Sequence, residues 1–186
     1  MHPRQAIREA ARTALVGAVT VDDVTTYATA AGTRVYETRK VPHRGLQLPA
    51  IAVYTLQESV DPESASSSAR YLTRRLQLMI EAFVAPGESD NVDDAMDDIC
   101  AEIEAALHAD ETLDGTCIDS LLASTEFEIG VDGNKEIGLA QLVYNVTYET
   151  QADDDSNADY DDFETAGLTL AFGEEETDGL IDLTEE

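Results

Sequence analysis

Two long alternating runs, 118–131 and 136–150, joined through Asp132, Gly133 and Asn134, constrain this chain more than any other feature. A short Gly-centred connector between period-two runs predicts a long β-hairpin. Its first strand places Leu121, Ala123, Thr125, Phe127, Ile129 and Val131 on one face, and its second places Leu142, Tyr144, Val146 and Tyr148 there. Two such strands need further strands and a covering layer to bury that face.

The rest of the chain supplies both. Residues 70–84 also alternate, with Leu72, Leu76, Leu78, Ile80 and Ala82 opposite Tyr71, Thr73, Arg75, Gln77 and Glu81. Shorter strands are expected over 34–41 and 50–58, with Pro49 tolerated at the mouth of the second. Helical spacing appears twice. Ile7, Ala10, Ala11, Ala14, Leu15 and Ala18 recur every three or four residues behind Pro3, which is tolerated in a first turn, while Arg4, Arg8 and Arg12 step along another face. Val92, Ala95, Met96, Ile99, Ile103, Ala106 and Leu107 form the second stripe, opened by a cap at Ser89, Asp90 or Asn91. Asp93, Asp94, Asp97 and Asp98 lie off that stripe, at the positive end of the helix dipole. The Thr-rich stretch 22–32 opposes a helix without clean alternation and is read as a loop; 60–68 reads as a polar connection.

The predicted fold class is α+β: one antiparallel or mixed sheet with two helices on one face, in the order α-β-β-β-α-β-β. That arrangement is expected to bury every apolar stripe. The compact domain is expected over 1–150, followed by an acidic extension or arm over 151–186. That extension holds fourteen acidic residues and no basic ones, too few apolar residues for its own core, and one short strand signal at 167–172.

Charge narrows the function classes. The chain has 186 residues and a formal net charge of −28, which argues against direct nucleic-acid binding because phosphate neutralisation needs clustered cations. Ten of its eleven basic residues lie at or before Arg75, and acidic residues accumulate after Glu88. Such a division gives a molecule two unlike poles, suited to head-to-tail neighbours; an acidic solubilising surface or adaptation to salt has the same composition. No apolar run is long enough to span a membrane, and the N-terminal run lacks a basic head followed by an apolar block, so neither a span nor a cleaved export signal is expected. Reduced thiols are expected at Cys100 and Cys117, which are too few for a disulfide framework or zinc site.

Catalytic constellations are sparse. Cys100 and His108 share a helix but stand about 12 Å apart along it, too far for proton transfer. No nucleophile motif or phosphate loop is present, so no enzyme and no cofactor are expected. One spacing has metal-binding form: Asp153, Asp155, Asn157, Asp159, Asp161 and Glu164 occupy the ligand positions of a calcium loop. Ala158 stands where that loop's sharp turn requires Gly, neither flank reads as a helix, and no metal is expected. Tyr36, Tyr54, Tyr144 and Tyr148 offer either an aromatic patch or ordinary sheet side chains. The basic cluster Arg39, Lys40, His43 and Arg44, between two strand signals, is the candidate docking loop, with Arg70, Arg74 and Arg75 as neighbours if their strands pair.

The element order, the run RVYETRKVPHRGLQLPAIAVYT behind an N-terminal helix, the Asp-led second helix and the final hairpin ending LAQLVYNVTYET together resemble the tail terminator proteins of long-tailed phages, the lambda tail protein U group, over residues 1–150. The resemblance implies an α/β subunit of a hexameric ring that caps the tail tube, stops its polymerisation and presents a surface to the head connector. The implied partners are further copies of the chain, the tail tube protein and the connector or stopper protein, with DNA passing only through the lumen. The implied location is the head-proximal end of the virion tail, after assembly in the host cytoplasm. A head–tail connector component and a soluble acidic module responsive to calcium or salt are the alternatives. The acidic extension departs from the compact family pattern.

Overall fold

The computed structural model describes residues 2–38, 47–62, 71–86, 91–132 and 135–151, together with the backbone of strands within 165–182. The chain divides into two compact units, Met1–Gln151 and Ala152–Glu186. Within the first, helices α1 (Pro3–Val16) and α2 (Val92–His108) accompany a mixed five-stranded sheet. Its strands are β3 (Val35–Tyr36), β4 (Ala50–Val60), β5 (Tyr71–Val84), β6 (Asp119–Asp132) and β7 (Lys135–Gln151), in the spatial order β3-β4-β5-β7-β6. Only β3 and β4 run parallel. The fold is α+β, as the alternating and helical periods predict.

Each helix begins and ends for an identifiable reason. At the start of α1 the Arg4 N–H donates to His2 Nδ1, and Pro3 occupies the first turn, where an amide hydrogen is dispensable. Gly17 stops the helix in the left-handed region, φ 43°, and donates its N–H to the Thr13 carbonyl. At α2 the cap is Asn91, whose Oδ1 accepts from Asp94 N–H at 2.7 Å. Both apolar stripes enter one core: Ile7, Ala11 and Leu15 of α1, and Met96, Ile99 and Ile103 of α2, pack with Ile51, Val53, Leu76, Leu78, Ile80, Leu142 and Val146. Gly138 lets α2 approach β7, because a Cβ there would stand 2.7 Å from Met96 Cγ and 2.9 Å from Val84 Cγ2.

Three expectations are corrected. The stretch 22–32 is not wholly a loop. Val24–Thr26 forms β2, paired antiparallel with β1 (Val19–Val21) through a two-residue turn at Asp22 and Asp23, φ 49° and 61°. Aspartate tolerates that region, and two consecutive positive φ values suit the right-handed twist of a tight hairpin. The strand expected over 34–41 is only Val35–Tyr36 before bends at Glu37 and Thr38, and the remainder lies outside the described residues. The Arg12 guanidinium takes the Val35 carbonyl at 3.1 Å, removing that group from a longer ladder. Finally, the apolar face of β6 is neither continuous nor buried. A bulge between Leu122 and Ser124 shifts its phase, so Leu121 turns away while Leu122 joins Thr125, Phe127, Ile129 and Val131 on the helix side.

The second unit contains a two-stranded hairpin, β8 (Thr165–Phe172) and β9 (Glu175–Asp182), in register from Thr165 opposite Asp182 to Phe172 opposite Glu175. The short strand signal at 167–172 falls within β8.

Replacing Gly17 by Ala is expected to destabilise the protein by about 2 kcal/mol, combining left-handed strain with a Cβ placed 2.5 Å from Ala28 Cβ. Urea unfolding monitored by circular dichroism measures this; a loss under about 0.5 kcal/mol would contradict the cap geometry.

Candidate interaction surfaces

The sequence-predicted docking residues separate. Arg39, Lys40, His43, Arg44 and Arg70 lie outside the described residues. Arg74 and Arg75 are neighbours in β5 and therefore point to opposite faces of the sheet. Arg74 turns to the helix side, where its Nη1 donates to Glu58 Oε1 at 2.7 Å and its Nε to Thr150 Oγ1 at 2.8 Å. Tyr148 donates its hydroxyl to the other Glu58 oxygen at 2.6 Å, and Arg4 of α1 stands 3.6 Å from the same oxygen. Sequence reasoning had no signal for this cluster, since Glu58 opposes Leu76 only after a bulge in β4 between Thr55 and Gln57. Burial pushes the Glu58 carboxyl up, but the Tyr148 hydroxyl and the Arg74 and Arg4 guanidiniums outweigh it and hold it below its ordinary value. Arg74 is thus a structural cation closing one end of the core.

Arg75 behaves differently. Its side chain is 70% exposed and it pairs with Asp61 at 3.7 Å, an arrangement worth little in water. Arg4 and Arg12 of α1 also keep 44% and 41% of their side chains accessible despite their pairs with Glu58 and Glu37. Because α1 packs on β3 and β4, Arg4 and Arg12 lie on that side of the sheet, whereas Arg75 faces away from the helices.

Opposite lies a surface of another kind. Among the described residues no strand pairs with the outer edge of β6. On its helix side Leu122, Phe127, Ile129 and Val131 are 40, 53, 50 and 72% exposed, an apolar strip left partly uncovered. Between β6 and α2 runs a groove of about 380 Å³, lined by Glu104, Ala105, His108, Ser120, Leu121, Leu122 and Tyr144. Ser120 is 6% exposed, and its hydroxyl has no hydrogen-bond partner among the described residues. The surroundings are anionic: Asp93, Asp94, Asp97, Asp98 and Glu104 line the outside of α2, and Glu126 and Glu128 the other face of β6. The β1–β2 hairpin adds a smaller apolar face, with Val19, Val21 and Val24 all exposed.

The remaining candidates are structural in placement. Tyr144 and Tyr148 are buried on the helix side, whereas Tyr54 lies on the other face and donates to Glu81, so the tyrosines form no single patch. Cys100 and Cys117 are buried, and desolvation pushes both thiols up to about 11; Glu104 and Asp97 add to this at Cys100. His108 faces Glu111 at 2.8 Å. Among the described residues no cluster of three His, Cys, Asp or Glu side chains is placed to hold a metal, and the calcium-loop spacing from Asp153 to Glu164 lies outside them. No helix among them is long and apolar enough to cross a membrane. No protein-family model and no curated protein matches this chain.

Two outcomes are expected. Glu58, with its folded pKa depressed, stabilises the protein above its unfolded value and loses that contribution as pH falls through the folded value. Glu58→Gln therefore flattens the fall of stability below about pH 4.5, where wild-type urea midpoints drop; parallel curves would remove the cluster's role. A neutral thiol reagent at pH 8 is expected to label neither cysteine in the folded protein and both in denaturant.

Proposed function

We propose that the chain is a tail terminator: a subunit of a ring that caps a phage tail tube, ends its polymerisation and presents the face that receives the head connector. The observation carrying this reading is the pairing of two unlike flanks on one sheet. A ring closes through heterologous contacts, in which each subunit offers two different surfaces. Here the β3–β4 side carries accessible cations, and the β6 side carries an uncovered apolar strip in an anionic setting. The resemblance of residues 1–150 to terminator proteins, in element order and in the run from Arg34 to Thr55, points the same way.

In this reading Arg39, Lys40, His43, Arg44 and Arg70 meet the last ring of the tube, and Arg75 lies exposed on β5. The tube is the partner, with copies of the chain beside it and a connector or stopper above, at the head-proximal end of the virion tail. Nucleic acid passes through the lumen without a binding surface of its own, in keeping with the net charge of −28.

Light scattering after size-exclusion chromatography, with negative-stain imaging of the protein mixed with tail-tube subunits, tests this. The expected result is a species near six times the 20.1 kDa chain mass, or a ring seated at one tube end. Rings that bind portal complexes and ignore tubes would make the chain a connector component instead. A monomer alone and beside tubes, or one that changes only with calcium, would overturn both.

A further inference from the structure

The α2–β6 side is the half of the molecule that its own fold leaves unfinished, and we infer that it is covered by the basic half of a second copy of this chain, docked head to tail. The inference rests on the ring reading in requiring copies to associate, and it names the surfaces through which they do so.

Three observations converge on β6. Its apolar strip, Leu122, Phe127, Ile129 and Val131, is at least 40% exposed at every position, although it faces the same side as the core. Single exposed apolar residues are ordinary, but a contiguous row along a free strand edge marks an interaction surface. The adjoining groove is lined in part by Ser120, whose hydroxyl is a buried polar atom with no partner among the described residues. Such a group costs free energy while it stays unpartnered.

Charge selects the occupant. Glu104 lines the adjoining groove, Glu126 and Glu128 lie on the reverse face of the strand, and the outside of α2 carries further aspartates, so a partner brings apolar side chains together with cations. The chain's own C-terminal segment is a poor candidate, because its fourteen acidic residues have no basic counterpart. A symmetric β6–β6 contact would set Glu126 and Glu128 against their own copies, and like charges placed opposite each other repel. The segment up to Arg75 supplies the cations: it holds ten of the eleven basic residues, with Arg4 and Arg12 accessible on the helix side and Arg75 on the other face of the sheet.

The test places a photo-reactive benzoylphenylalanine at position 127 in the full chain and mixes isotopically light and heavy protein, alone and with tail-tube subunits. The same samples are sized by light scattering. Light-to-heavy cross-links into peptides ending at or before Arg75 are the expected result. Links confined to one chain, including any into 152–186, links into 76–151 of another copy or into the tube protein, or no links, would overturn the inference. If assembly is seen and the links fall elsewhere, the ring reading survives this failure; a protein that stays monomeric alone and with tubes removes both. A second variant, Phe127→Glu, is expected to retain wild-type circular dichroism and weaken self-association by about tenfold or more. Unchanged association in that folded variant would count equally against the proposal.

Discussion

A helix with its side chains is about 10 Å across, and neighbouring strands stand about 4.8 Å apart, so two helices laid side by side cover about four strands. This sheet has five. With α1 on β3 and β4, and α2 centred on β5 and β7, the cover ends near β6. Phe127, Ile129 and Val131 are therefore exposed not because their side chains point away from the core but because the helical layer stops short of them. Gly138 fixes where it stops: Met96 sits against the β7 backbone, which holds α2 over that strand.

The opposite end of the sheet is closed by polar means. Tyr148 carries a hydroxyl into the core, and a buried hydroxyl needs a partner. Glu58 supplies it, and the charge this introduces is balanced by Arg74 from β5 and Arg4 from α1. One carboxylate thus joins two strands and a helix. It also explains why a cluster of arginines in an acidic chain is not simply a docking patch: part of it is consumed in holding α1 to the sheet.

How much of this was legible depends on whether the information was local. The alternation through 70–84 and 136–150 identified β5 and β7 and their buried sides, because both strands run without a break in phase against covered neighbours. The same period misread β6, where one extra residue at Ala123 exchanges Leu121 for Leu122, a shift visible only in the pairing with β7. The β1–β2 hairpin escaped because its strands have three residues each and its turn uses Asp-Asp rather than a Gly-containing pair. Arg74 was placed on the correct strand, but its commitment to Glu58 depends on the β4 bulge, which no local pattern announces. The candidate surfaces were legible as charge, through the division at Arg75, and not as geometry.

That division also bears on how copies of so acidic a chain would come together in the proposed ring. At physiological ionic strength the Debye length is about 8 Å, so most repulsion between the two net charges is screened across molecular distances. Contacts within a few ångströms are screened much less, and desolvation of an apolar strip strengthens the charge pairs at its rim. Long-range repulsion and short-range complementarity are thus separated by distance. The first is too weak to prevent approach, while in the proposed ring the second favours the orientation that sets cations against the carboxylates beside β6. An edge strand carrying Glu126 and Glu128 on one face and Phe127, Ile129 and Val131 on the other is poorly suited to indiscriminate pairing and well suited to one selective neighbour.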